Sequence, residues 1–77
     1  MNAKELAERM AHEASTIVPY LLPQGKKSSG EWKVAGTTGE PGTSMSVRLT
    51  GAKAGIWSDF ATQERGDILD LWAAVRG

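Results

Sequence analysis

Apolar side chains in the first third of the chain fall at Leu6, Met10, Ala14, Ile17 and Leu21, three or four residues apart. That spacing predicts a helix over residues 1–22 with one apolar face, widened by Ala3, Ala7, Ala11 and Val18. Asn2 is placed to cap it, and Glu5 follows at the capping-box interval. Pro19 removes a donor and disfavours helix at Val18, so the regular helix is expected to end or kink there. Pro23-Gln24-Gly25 then stops it, and the polar run Lys26–Gly30 reads as a connector.

From Glu31 the period becomes two. Glu31-Trp32-Lys33-Val34-Ala35 alternates as a half-buried strand does, with Trp32 and Val34 on its inner face. Gly36–Thr43, rich in glycine, is a loop. Ser44–Thr50 alternates again, Met45, Val47 and Leu49 against Ser44, Ser46, Arg48 and Thr50. Gly51–Gly55 makes a tight connection to a third strand, Ile56–Phe60, on which one of Ile56 and Trp57 faces outward. We assign the outward position to Trp57. Ala61–Gly66 reads as a loop before a last helix over 67–76, with Asp67 as N-cap, Asp70 in the first turn, and Ile68, Leu71, Trp72 and Val75 as its apolar stripe.

The expected architecture is α+β and one domain over 1–77: a three-stranded antiparallel meander, 31–60, flanked by an N-terminal and a C-terminal helix. One sheet face packs on the helices and the other meets solvent. No internal repeat is present.

Composition narrows the function classes. A chain of 77 residues buries only about 60% of its unfolded surface and is marginal without a staple. It has no cysteine and a single histidine, His12, so disulfides and a thiolate zinc site are excluded and no cofactor is expected. Ten of its 31 apolar residues are alanine, leaving three tryptophans, Phe60, Tyr20 and the branched aliphatics to supply most of the core. No apolar run reaches the roughly 20 residues that span a bilayer, and no signal-peptide pattern opens the chain; a cytoplasmic location is the expectation.

Net charge is zero, which argues against a globally basic nucleic-acid binder, but the charge is segregated. Residues 1–20 carry −1, residues 21–57 carry +3, and residues 58–77 carry −2. His12 lies in a polar stretch without a nucleophilic partner, and Asp67 with Asp70 has the spacing of a cap rather than a cation cage. The Gly36–Gly42 segment lacks the pattern of a phosphate-cradling loop, so catalysis by this domain is not expected. The notable chemistry is cations interleaved with aromatics on strands: Lys33 beside Trp32, Arg48 on the polar face of the second strand, and Lys53 before Trp57. Cations for phosphates and rings for bases are what a single-stranded nucleic-acid surface uses.

Ser44-Met45-Ser46-Val47, Gly55-Ile56-Trp57-Ser58-Asp59-Phe60 and Arg65-Gly66-Asp67-Ile68-Leu69-Asp70-Leu71 together resemble the N-terminal zinc-ribbon domain of bacterial and phage DNA primases. In that family a Cys-x-x-His pair and a Cys-x-x-Cys knuckle hold zinc. The corresponding positions here are Ala35 and Thr38, and Ser58 and Ala61, so the resemblance is to a ribbon without its metal ligands. Tyr20-Leu21-Leu22-Pro23 and Trp57–Thr62 are similar to the N-terminal regions of phage and mobile-element primases or primase–helicases. The resemblance spans roughly residues 19–75. It implies a zinc-ribbon-like fold, a fragment of a larger protein with a neighbouring Toprim primase domain that carries any catalysis, and a role in DNA replication by binding single-stranded template DNA. Carried over by position, Lys33, Arg48 and Trp57 are the implied DNA contacts, with Lys26, Lys27 and Lys53 adding phosphate contacts. The alternative is a docking domain that packs the Trp57/Phe60 edge and the Ile68–Val75 helix against a neighbouring domain or partner.

Overall fold

The structure, a computed structural model, describes residues 2–77; Met1, the first residue of the expected 1–22 helix, lies outside them. Asn2 caps as its spacing predicts, its side-chain oxygen accepting the Glu5 N–H at 2.8 Å. The helix it opens, α1 (Ala3–His12), ends at Glu13, and α2 (Ala14–Leu21) begins directly after. The expected single helix is therefore two. The break lies at Glu13, not at Pro19, which sits inside α2. No residue of α1 is buried, whereas α2 buries Ala14, Val18 and Leu21. Turning the axis at Glu13 lets those three reach the core, and that burial outweighs the one ladder bond that Pro19 denies to Ser15.

The sheet has five strands rather than three, all antiparallel and in chain order: β1 (Lys26–Ser28), β2 (Glu31–Val34), β3 (Met45–Arg48), β4 (Trp57–Asp59) and β5 (Arg65–Gly66). The Lys26–Gly30 connector is in fact a strand and a tight turn. Ser29 (φ 49°) and Gly30 (φ 78°) both adopt the left-handed region, as a two-residue type I′ hairpin requires, so Ser28 pairs with Glu31. The segment read as a loop before the last helix supplies β5, folded back on β4 by bonds from Gln63 N–H to the Asp59 carbonyl and from Asp59 N–H to the Glu64 carbonyl. Both extra strands lie at the sheet edges and carry no branched aliphatic or aromatic residue. The last helix, α3 (Ile68–Arg76), has the expected cap: Asp67 accepts the Leu69 and Asp70 N–H groups, and Asp70 accepts the Asp67 N–H, closing a capping box.

Ala14, Val18, Leu21 and Leu22 meet Val34, Met45, Val47, Leu49 and Trp57 from the sheet, and Ile68 and Leu71 from α3. The helices cover one sheet face only. Trp57 is 4% exposed and belongs to this core; the neighbour that turns outward is Ile56, 46% exposed. The expectation of an outward Trp57 therefore fails, and the reason is a hydrogen bond: its indole N–H donates to the Asp67 carbonyl at 2.8 Å, at the start of α3. Trp32 does the same at the other helix, donating to the Leu22 carbonyl at 2.8 Å just past α2. Its ring lies so close over Gly25 that a Cβ there has no room.

Replacing Trp57 with Phe keeps a ring but removes this donor and some volume. We expect a loss of about 1–3 kcal/mol in thermal unfolding. Trp72→Phe, at a 38% exposed position, should change stability by less than about 0.5 kcal/mol.

Candidate nucleic-acid interface

With Trp32, Val34, Met45, Val47, Trp57 and Asp59 turned to the helices, the alternate residues must stand on the other face. Register aligns them in rows. Lys26 lies opposite Lys33, Lys33 opposite Ser46, Ser46 opposite Ser58, and Ser58 opposite Arg65, so one row crosses all five strands. A second row runs Ser28, Glu31, Arg48, and reaches Ile56, whose carbonyl accepts the Arg48 N–H at 3.0 Å. At a strand spacing of about 4.8 Å the first row is roughly 19 Å long. Its ends are cationic and its centre carries two hydroxyls. Glu31 is the only carboxylate among the outward strand positions.

The residues singled out from the sequence are divided by this geometry. Lys26, Lys33 and Arg48 occupy outward strand positions. Lys53, in the connection between β3 and β4, shares a shallow hollow with Glu31, Arg48, Ile56, Ser58 and Arg65. Lys27 pairs with Trp32 and so alternates to the helix side of the edge strand, yet it borders a neighbouring hollow with Lys26 and Lys33. Trp57 is separated from the others: it borders the hollow but offers no free ring face. Arg65, Ser46 and Ser58 join the face although sequence reasoning did not select them. Arg65 was hidden because a two-residue strand has no readable period; Ser46 and Ser58 were visible as polar alternates. The exposed aromatic nearest the face is Phe60, 70% exposed, which follows Ser58 by two residues and donates its N–H to the Ser44 carbonyl.

Glu31 is the electrostatic centre. Its Oε1 accepts the Ser46 hydroxyl at 2.7 Å and lies 3.1 Å from Lys33 Nζ, and its Oε2 lies 3.2 Å from Arg48 Nη1. The Ser46 hydrogen bond first, and then the bond from the Lys33 ammonium, hold its carboxyl below the ordinary value, against a smaller upward effect of burial. At the end of the sheet the buried Asp59 carboxylate accepts the Ala61 and Thr62 N–H groups, and a Cβ at Gly36 would come within 3.2 Å of its Oδ2. The segments following β2 and β4 therefore lie side by side. Among the described residues, no three His, Cys, Asp or Glu side chains converge as metal ligands, and no helix is long and apolar enough to cross a membrane.

The helical layer carries an apolar groove. Leu6 and Met10 of α1, Ile17 and Tyr20 of α2, and Leu69 and Trp72 of α3 line a groove between the three helices. The Arg76 guanidinium lies over the Tyr20 and Trp72 rings, 5.6 and 5.8 Å from their centroids, and donates to the Tyr20 hydroxyl at 3.1 Å.

No protein-family model, curated protein or solved structure matches this chain significantly.

The lowered carboxyl of Glu31 gives a pH signature. A carboxyl whose folded value lies below its unfolded one stabilises the fold above that unfolded value, and the contribution disappears as pH falls through the folded value. Glu31→Gln should therefore be less stable than the parent at pH 7, and the difference should close below the ordinary value of 4.5. Urea unfolding of both proteins at pH 7 and pH 3 measures it; an equal difference at both pH values would contradict the assignment.

Proposed function

We propose that this chain is a non-catalytic domain that binds single-stranded DNA on the uncovered face of its sheet, as part of a primase-like replication protein acting in the cytoplasm. The observation that carries the reading is the row Lys26–Lys33–Ser46–Ser58–Arg65, with Arg48 and Lys53 beside it, on a sheet face that no helix covers. Cations and hydroxyls at strand spacing suit successive phosphates of a flexible backbone. No ring stands among the outward strand positions, so affinity comes from the backbone and depends little on base sequence. Base stacking is left to Phe60 at the end of the face. The primase resemblance is supported by the approach of Gly36, between Ala35 and Thr38, to Asp59, between Ser58 and Ala61, the two stretches that would carry the metal knuckles in that family; here Asp59 takes up the N–H groups at that end. Primer synthesis would belong to another domain of the parent chain, such as a Toprim domain.

With four or five cations engaged, the logarithm of affinity should fall with the logarithm of salt at a slope of about −3, at roughly −0.7 per single-strand phosphate. Charge reversal at Lys33 and Arg48 together should abolish binding of a labelled oligothymidylate measured by fluorescence anisotropy. Phe60→Ala should weaken it about tenfold or more, within the range of one base stack. Unchanged binding by the double charge reversal would overturn the proposal.

A docking role is favoured by a separate observation, the apolar groove of Leu6, Met10, Ile17, Tyr20, Leu69 and Trp72. It differs from the docking surface expected from the sequence, because Trp57 and Ile68 are buried; Phe60 of that surface stays exposed, and the part of it that lines the groove is the Leu69 and Trp72 side of α3. The groove and the cationic face lie on opposite layers, so both roles can coexist. Trp72→Ser should leave oligonucleotide binding unchanged within twofold while weakening any association through the groove.

A further inference from the structure

We propose that Lys33, Ser46 and Arg48 form a site for one phosphate group of a polyanionic chain, and that the Glu31 carboxylate occupies that site in the unliganded protein. This deepens the DNA-binding reading and rests on it. Three donors from β2 and β3 converge on the two oxygens of one anion: the Ser46 hydroxyl and Lys33 Nζ on Oε1, and Arg48 Nη1 on Oε2. The two non-bridging oxygens of a phosphodiester present acceptors of the same kind and charge. They are recognised by the same donors, with arginine the side chain best shaped for them.

The fold depends only slightly on a carboxylate at this place, by the small pH-dependent contribution described above. The ion pairs are partly exposed, with the Arg48 side chain 51% accessible, and pairs of that kind add little to stability. The effect of Glu31 falls on binding instead. A ligand must displace a tethered anion whose effective concentration at the site is high, and its apparent affinity drops by the fraction of time the site stands open. One isolated phosphate has only this site to gain and does not displace it. A chain that also reaches Lys26 and Arg65 in the long row gains enough from those contacts to do so. Glu31 thereby selects a polymer over free phosphate or a mononucleotide.

The test compares the parent with Glu31→Gln, which keeps an amide able to bond the Ser46 hydroxyl, and with Glu31→Thr, a strand-forming residue that serves if the first variant folds poorly. Binding of a labelled oligothymidylate is followed by anisotropy over a salt series. Inorganic phosphate is titrated separately while the amide resonances of residues 31–33 and 46–48 are observed by NMR. We expect about tenfold tighter oligonucleotide binding by the variants, with the salt slope unchanged to within about 0.7, the weight of one contact, because the polymer displaces Glu31 in the parent and reaches the same cations. Inorganic phosphate should shift those amides in the variants but not in the parent. Equal or weaker oligonucleotide binding by the variants, with the parent still binding, overturns this site and leaves the DNA-binding face standing. Phosphate shifts of equal size in the parent overturn the role of Glu31 in selection. No oligonucleotide binding by any of the proteins overturns both the site and the face.

Discussion

Two indole N–H groups set the relation between the layers. Trp32 on β2 and Trp57 on β4 both lie opposite Val47 of the central strand, so the three side chains form one row across the inner face. From the ends of that row one donor reaches the Leu22 carbonyl and the other the Asp67 carbonyl. Each bond joins a strand to the terminus of a helix, where backbone groups have no partner within the helix or share one. A chain without cysteine, with ten alanines among its apolar residues, gains from these contacts both large apolar area and fixed positions for α2 and α3. Every buried side-chain nitrogen or oxygen among the described residues has a partner, so the contacts leave no polar debt in the core.

The same row fixes the outer face. Side chains alternate strictly along a strand, so a slip of one residue would exchange the two faces entirely. With the tryptophans held inward, Lys33, Ser46, Arg48, Ser58 and Arg65 have no other direction available. The positive middle of the sequence thus becomes a positive surface with Glu31 at its centre, while the acidic residues of the terminal segments lie on helices, at their caps and in turns, apart from Asp59, which β4 buries on its inner side. Zero net charge and a cationic sheet face are compatible because the fold separates the signs. Packing on one side and the cationic surface on the other follow from a single constraint.

Much of this was legible in the sequence. The alternation of Met45, Val47 and Leu49 located the central strand and its inner face, and Asn2 and Asp67 marked the starts of α1 and α3 through cap spacing. The cations Lys33, Arg48 and Lys53 were recognisable from their place on or beside alternating segments, whereas Lys26 was named only through the primase resemblance. Other features left no local signal. Lys26–Ser28 has no apolar residue, and it becomes a strand through pairing with β2 across the Ser29–Gly30 turn. Arg65–Gly66 is too short for a period. The break at Glu13 reflects where α2 meets the core, whereas the proline at 19 suggested a different place. The phase of Trp57 could not be read from period two alone, since Ile56 beside it is equally apolar; the Asp67 carbonyl, ten residues away, decides it.

The account stands on the claim that the helix-free face of the sheet is where a nucleic-acid strand lies. Amide chemical-shift mapping of the labelled protein with a short single-stranded DNA tests that claim most directly. Binding there predicts the largest shifts on the five strands, β1 to β5, and on Lys53, with α1 and the Tyr20–Trp72 groove unmoved. Shifts centred on the helical groove, or none at low salt, would contradict it.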